Sequence, residues 1–188
     1  MNYTKTKQLI IMGLSVSINL LGCTIALVLK LPIYLDSIGT ILSSVILGPI
    51  YGAFVGVGTA IVNGITFDPI SIYFMPSQIV TALVVGFLFK NKVLDRKQVV
   101  FRVIIVGLAT SLAAGTVVYI LFGGVTSSGS SIIVAMLKGL NINPILSVYA
   151  VQAVTEVIDK SIGCYLVFKV VKSLKLKYIG EESTSEVS

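Results

Sequence analysis

The sequence predicts an all-α integral membrane protein, and three observations carry that class. Of 188 residues, 55% are hydrophobic and only 12% charged; a soluble globule needs about a quarter charged residues to cover its surface. The mean hydropathy is +0.99, and the apolar residues gather into six segments of helical rather than strand length. Three ionisable residues, Glu156, Asp159 and Lys160, lie inside one of those segments. Lipid solvates charge so poorly that such residues face a protein interior or an aqueous cavity, where they bind, relay or pair.

The first segment, 8–29, follows Lys5 and Lys7; it is too long for a signal peptide, and no small-residue cleavage site follows it. The second and third, 37–47 and 50–65, flank Gly48-Pro49. Each is shorter than the about 20 residues of a straight crossing, and the Gly-Pro pair favours a hinge between two helices over one interrupted span. Segments 77–89, 99–122 and 144–174 complete the set. The expectation is a bundle of six transmembrane helices forming one membrane domain, with its core at about 8–175 and a polar tail at 176–188. From Glu181 onward the tail is acidic and has no apolar period, which predicts disorder.

Charge supports this count. With six spans and both termini cytoplasmic, Lys5, Lys7, Lys90, Lys92, Arg96, Lys97, Arg102, Lys169, Lys172, Lys175 and Lys177 are inside. Only Lys30 and Lys138 are then outside, in keeping with the positive-inside rule. Merging the second and third segments, with the N-terminus outside, gives a bias nearly as strong, so charge prefers six spans and leaves five open. Glycines crowd the first three segments at 13, 22, 39, 48, 52, 56 and 58, where they let helix backbones approach closely. Gly52, Gly56 and Ala60 form one small stripe, as do Gly13 and Ser17. Such stripes serve packing within the chain or, for the first segment, docking of a partner protein.

Three connections fall outside under this topology, at 31–36, 66–76 and 123–143. Prolines restrict the first two, and Tyr34, Phe67, Tyr73 and Phe74 offer flat apolar faces beside Asp36 and Asp68. That composition reads either as an interfacial aromatic belt or as the mouth of a site for an aromatic ligand. In the sixth segment Tyr149, Gln152, Glu156 and Asp159 are spaced three, four and three apart and so share one face. Lys160 lies one turn beyond Glu156 and can pair with it. Glu156 falls roughly 18 Å below Pro144, near the bilayer middle. Asp159 and Lys160 read as a structural ion pair, Gln152 and Glu156 as ligand contacts. Asn63, Gln78, Thr81 and Thr110 are candidates to complete a polar lining.

Enzyme chemistry is not expected. The stretch from Gly124 to Ser131 is rich in glycine and serine but lacks the lysine of a phosphate loop and follows a helix; it reads as a flexible loop or lid. There is no histidine and no nucleophile beside a base. The two cysteines, Cys23 and Cys164, lie far apart in apolar segments and suggest neither a disulfide framework nor a metal knuckle. No cofactor, metal or nucleic acid is indicated.

Taken with the six-segment pattern, LDSIGT at 35–40, LGPIYG at 47–52 and EVIDK at 156–160 resemble the S component of energy-coupling factor transporters, over about residues 8–175. The resemblance implies a bacterial-type plasma-membrane subunit that captures a vitamin or similar micronutrient from outside. Its implied partners are a transmembrane coupling protein and two cytoplasmic ATPases, which make the loaded subunit topple and release its cargo inside. It further implies a ligand near the outer face among the last three helices, covered by the loops at 32–36 and 67–76. Small residues repeating every four along the first helix would dock the coupling protein, and here Gly13 and Ser17 begin such a row. Leu21 breaks it, and Gly22 and Ala26 continue one residue displaced.

Two other classes stand beside this one: a stand-alone secondary transporter using Glu156 and Asp159 as proton carriers, and a non-transporting sensor or assembly subunit. The acceptors Asp36, Asp68, Gln152 and Glu156, with few cations apart from Lys160, favour a neutral or cationic nitrogen heterocycle over a dianionic ligand.

Overall fold

The computed structural model of the chain describes the backbone of residues 4–89 and 96–185 and the side chains of 4–89 and 97–173. Among these, every regular element is helical. The helices are α1 Lys5–Val28, α2 Ile38–Ile46, α3 Pro49–Thr66, α4 Met75–Phe89, α5 Arg96–Phe122, α6 Ser130–Gly139 and α7 Pro144–Ser185, with a short 3-10 helix at Pro69–Phe74 before α4. Lys90 and Lys92, counted above for the charge bias, and the tail end at 186–188 lie outside the described residues.

Four described stretches are long and apolar enough to cross a membrane: Lys5–Val28, Pro49–Thr66, Pro69–Phe89 and Lys97–Phe122. The six expected crossings include two elements that do not meet that standard. α2 has nine residues, about half of what a span requires, and the apolar stretch of α7 is interrupted by Glu156, Asp159 and Lys160. The surface fits lipid. Leu9, Leu14, Leu21, Phe54, Phe87, Phe101, Leu112 and Val154 are all exposed, whereas serines, threonines and amides are buried throughout the bundle. Without water outside there is no hydrophobic drive between helices, and packing falls to small residues and hydrogen bonds.

The hinge between the second and third segments is present. α2 ends at Ile46, and Gly48 takes φ 112°, a left-handed conformation that glycine adopts without a Cβ clash. Pro49 then opens α3 at a position where its missing N–H costs nothing. α2 is thereby placed in the middle of the bundle, against α1, α3, α4 and α7. Its small face, Gly39, Thr40, Ser43 and Ser44, is buried, and Ile41 enters the apolar cluster of Val85, Phe89, Val103, Val106, Cys164 and Val167. The glycine stripe of α3 is used inside the chain: Gly52 abuts Ser44, and Gly56 abuts Gln78.

Two expectations are corrected. The connection at 123–143 contains a helix, α6, because Val134 packs on Val118, Val148 and Val151 and so anchors one face of an apolar ten-residue stretch. The tail expected to be disordered from Glu181 continues α7 to Ser185. Residues such as Glu181 and Glu182 extend a helix that already exists and bear no nucleation cost.

Candidate functional site

The N-terminus of α2 is where the sequence-predicted charges meet. A helix start leaves backbone N–H groups without partners, and here the N-cap Ser37 makes no capping hydrogen bond. Other helices supply the acceptors. Asn19 of α1 accepts from the Gly39 N–H through Oδ1 at 2.6 Å, and Asp159 of α7 accepts from the Leu35 N–H at 2.7 Å and from the Ser37 hydroxyl at 3.2 Å. A carboxylate at that end is also favoured by the helix dipole.

Lys160 Nζ donates to Asp159 Oδ2 at 2.8 Å and to Ser37 Oγ at 2.9 Å. The expected pairing of Asp159 with Lys160 is therefore present, and both side chains are buried. Lys160 Nζ also stands 3.0 Å from Glu156 Oε2. The contact falls outside hydrogen-bond geometry, so Lys160, with two protons committed to Asp159 and Ser37, holds Glu156 as a buried ion pair.

Asn19 organises a second, fully satisfied network. Its Nδ2 donates to Thr40 Oγ1 of α2 and Thr59 Oγ1 of α3, both at 3.0 Å. Thr40 donates in turn to Gln78 Oε1 of α4 at 3.0 Å, and Gln78 Nε2 reaches the Asp36 carbonyl at 3.4 Å. Gln78, expected to contact ligand, ties α4 to α2 and to the loop before it, and the network as a whole joins α1 through α4. Thr81 and Thr110, expected to line the site, bond each other at 2.9 Å.

Beside this frame the connections after α1, α3 and α5 converge on a cavity of about 50 Å³. Its walls include Cys23 and Ala26 of α1, Tyr34, Asp36, Asn63, Asp68, Phe74 and residues 126–128. Asp68 caps the 3-10 helix by accepting from the Ile70 N–H at 3.2 Å, and it also accepts from the Ser127 hydroxyl at 2.5 Å, joining two of the loops. Burial pushes the Asp36 carboxyl above its ordinary range, against the pull of Lys160. Tyr34 is the partition between this cavity and α7. Its ring lies 6.0 Å from that of Phe74, and its hydroxyl meets Gln152 Nε2 at 3.2 Å and Ser130 Oγ at 3.3 Å.

The remaining expected contacts are not brought together. Phe67 is exposed. Tyr73 is also exposed, edge-on to Phe122 at 5.4 Å. Tyr149 shares a helix face with Gln152, but its ring fills the groove left by Gly115 on α5, and its hydroxyl bonds Thr116 at 2.9 Å. The small row on α1 divides. Gly13 and Ser17 are exposed. Gly22 and Ala26 are buried, with the Leu35 carbonyl standing where a Cβ on Gly22 would sit.

The residues that sequence reasoning missed are Asn19, Ser37, Thr40, Thr59, Ser127 and Ser130. Of these, Asn19 carried a signal, an amide inside a long apolar helix, which lipid tolerates only where it is bonded. No family model matches the chain, and no curated protein or solved structure matches it either.

Proposed function

We propose that the chain is the substrate-capturing membrane subunit, of S-component type, of an importer driven by partner ATPases. On this reading it crosses the membrane six times with both termini in the cytoplasm, the short α2 and the charged α7 serving as the two irregular crossings, and its cargo is a vitamin or vitamin precursor. One observation carries the proposal: three loops converge on a cavity near which Asn63 of α3 and Gln152 and Glu156 of α7 are buried with side-chain oxygens that make no hydrogen bond. Asn63 Oδ1, Gln152 Oε1 and Glu156 Oε2 have no hydrogen bond, and a buried acceptor left unmet costs about 1–3 kcal/mol. Such a cost is tolerated where a ligand meets it.

The cavity, about 50 Å³, is far below the roughly 300 Å³ of a small-molecule site, so the loops part on binding. Tyr34 is the group that must move, because its displacement joins the cavity to Gln152 and Glu156.

The reading is tested by reconstituting the chain in vesicles with a coupling protein and two ATPases. Uptake should require ATP hydrolysis. Uptake by the chain alone under a proton gradient would overturn the proposal in favour of a secondary transporter, and absence of any ligand binding would point to a sensor or assembly subunit.

A further inference from the structure

The unpartnered atoms around the cavity have a common character, and proton accounting fixes it for both amides. Ser71 directs its hydroxyl proton to Asp68 Oδ2 at 3.4 Å, so it must accept from Asn63 Nδ2, which lies 2.5 Å away. That leaves Oδ1 as the free end of Asn63. Ser130 directs its proton to Ser128 Oγ at 3.1 Å and therefore accepts from Tyr34. Tyr34, having donated there, accepts from Gln152 Nε2, and Oε1 is the free end of Gln152. The third unpartnered atom, Glu156 Oε2, is a carboxylate oxygen. All three are acceptors, on residues at least nine-tenths buried, and among the described residues no buried side-chain donor is left over.

Charge points the same way. Asp36, Glu156 and Asp159 all act electrostatically on Lys160, so three carboxylates share one buried cation. Asp159 takes the hydrogen bond from that cation, and Glu156 receives only the ion contact. The other described lysines at this end do not help: Lys30 is exposed, and Lys138 bonds the Gly123 carbonyl. An excess of negative charge in a low-dielectric interior is unfavourable and is relieved either by a counter-charge or by protonation of a carboxyl, and a cationic ligand supplies the first.

We infer that the ligand of this site is a small organic cation, a protonated amine borne on a planar ring, whose N–H groups meet Glu156, Gln152 and Asn63 while its ring lies against Tyr34 and Phe74. This rests on the capture reading above and narrows it from nitrogen heterocycles in general to those carrying a basic amine. The planar ring suits the flat faces of Tyr34 and Phe74, against which it can stack.

The test is titration calorimetry of the full chain in detergent with two matched probe pairs at neutral pH: aminomethylpyridine against hydroxymethylpyridine, and aminomethylbenzimidazole against hydroxymethylbenzimidazole. Alongside it, mass spectrometry identifies small molecules retained by the chain purified from its own membrane. The amine of each pair should bind roughly ten- to a hundredfold more tightly, the range for a charge-assisted hydrogen bond, and Glu156→Gln should bring the two members of a pair together.

A retained molecule with a basic amine supports the inference even if the probes are too small to bind. Equal binding within the pairs, tighter binding of the alcohols, or a retained molecule lacking a basic nitrogen overturns it and leaves ligand capture standing. If nothing binds and nothing is retained, both fall. Should Glu156→Gln not fold, the comparison on the unaltered chain decides the matter alone.

Discussion

Two polar regions lie side by side in this bundle, and they differ in how completely their atoms are matched. Around the start of α2, Asn19 uses both amide protons and its oxygen, and Asp159 accepts from a backbone N–H, a hydroxyl and an ammonium. One and two helical turns away along α7, Glu156 and Gln152 are also buried but retain oxygens without a hydrogen bond. Burial of a polar group therefore does not distinguish frame from site in this molecule. What distinguishes them is satisfaction: a complete network fixes the fold, and on the proposed reading the incomplete one is the part that a ligand completes.

The largest effect should come from breaking the complete side. Asp159→Leu removes the main partner of Lys160 and the acceptor of the Leu35 N–H, and it should cost about 3–5 kcal/mol, as for other buried pairs broken on one side. Reversible unfolding in mixed micelles would measure it. Asn19→Leu comes next, at about 2–3 kcal/mol, because the Gly39 N–H is left without an acceptor; the same unfolding measurement applies, and ligand preference in those molecules that remain folded should not change. Gly22→Ala places a methyl against the Leu35 carbonyl. It should cost about 1–3 kcal/mol, as overpacking does, by displacing the loop that carries Tyr34.

On the incomplete side the signs separate. Glu156→Gln should weaken ligand binding by about 1.5–3 kcal/mol while costing less stability than Asp159→Leu, because Lys160 keeps its hydrogen bonds to Asp159 and Ser37. Calorimetry and unfolding on one preparation read both quantities, and a stable variant with unchanged affinity would return Glu156 to the frame. The smallest effect on stability is expected for Gly13→Leu with Ser17→Leu, since no neighbour lies within 4 Å of a Cβ at Gly13. This double variant should bind ligand normally yet fail to copurify with an ATPase module; normal ATP-dependent uptake would remove α1 as the docking face. The pair Gly22 and Ala26, equivalent by sequence spacing, is now distinguished from it by burial.

The fold was legible where lipid imposes a strong rule. Apolar length located α1 and α3 to α5 within three residues, and Gly48-Pro49 marked the break between α2 and α3 because few other dipeptides can make it. α6 was not legible, since ten residues between glycines fall below any length criterion and tertiary contacts such as those of Val134 and Leu137 with α5 and α7 sustain them. At the site, Glu156, Asp159 and Lys160 stood out because charge is rare in such a segment, and their pairing followed from helical spacing. Ser37, Ser127 and Ser130 did not, since a serine carries no pattern that tells a bonded hydroxyl from an idle one. The packing of Tyr149 against Gly115 was not legible, because periodicity gives a direction around one helix but not the groove that a glycine opens on its neighbour.

The brevity of α2 bears on how the chain enters the membrane. Nine residues rise about 13 Å, less than half the hydrocarbon thickness, so an insertion apparatus that selects segments by apolar length has no independent span to recognise there. α2 must enter together with α3 as a hairpin turned at Gly48. The Leu35 N–H and the Ser37 hydroxyl just before it then remain without their final acceptor until Asp159 emerges from the ribosome more than a hundred residues later. Membrane integration of the first half of the molecule is thus separated in time from its completion, and the half-made chain is the form that quality-control proteases would be expected to recognise.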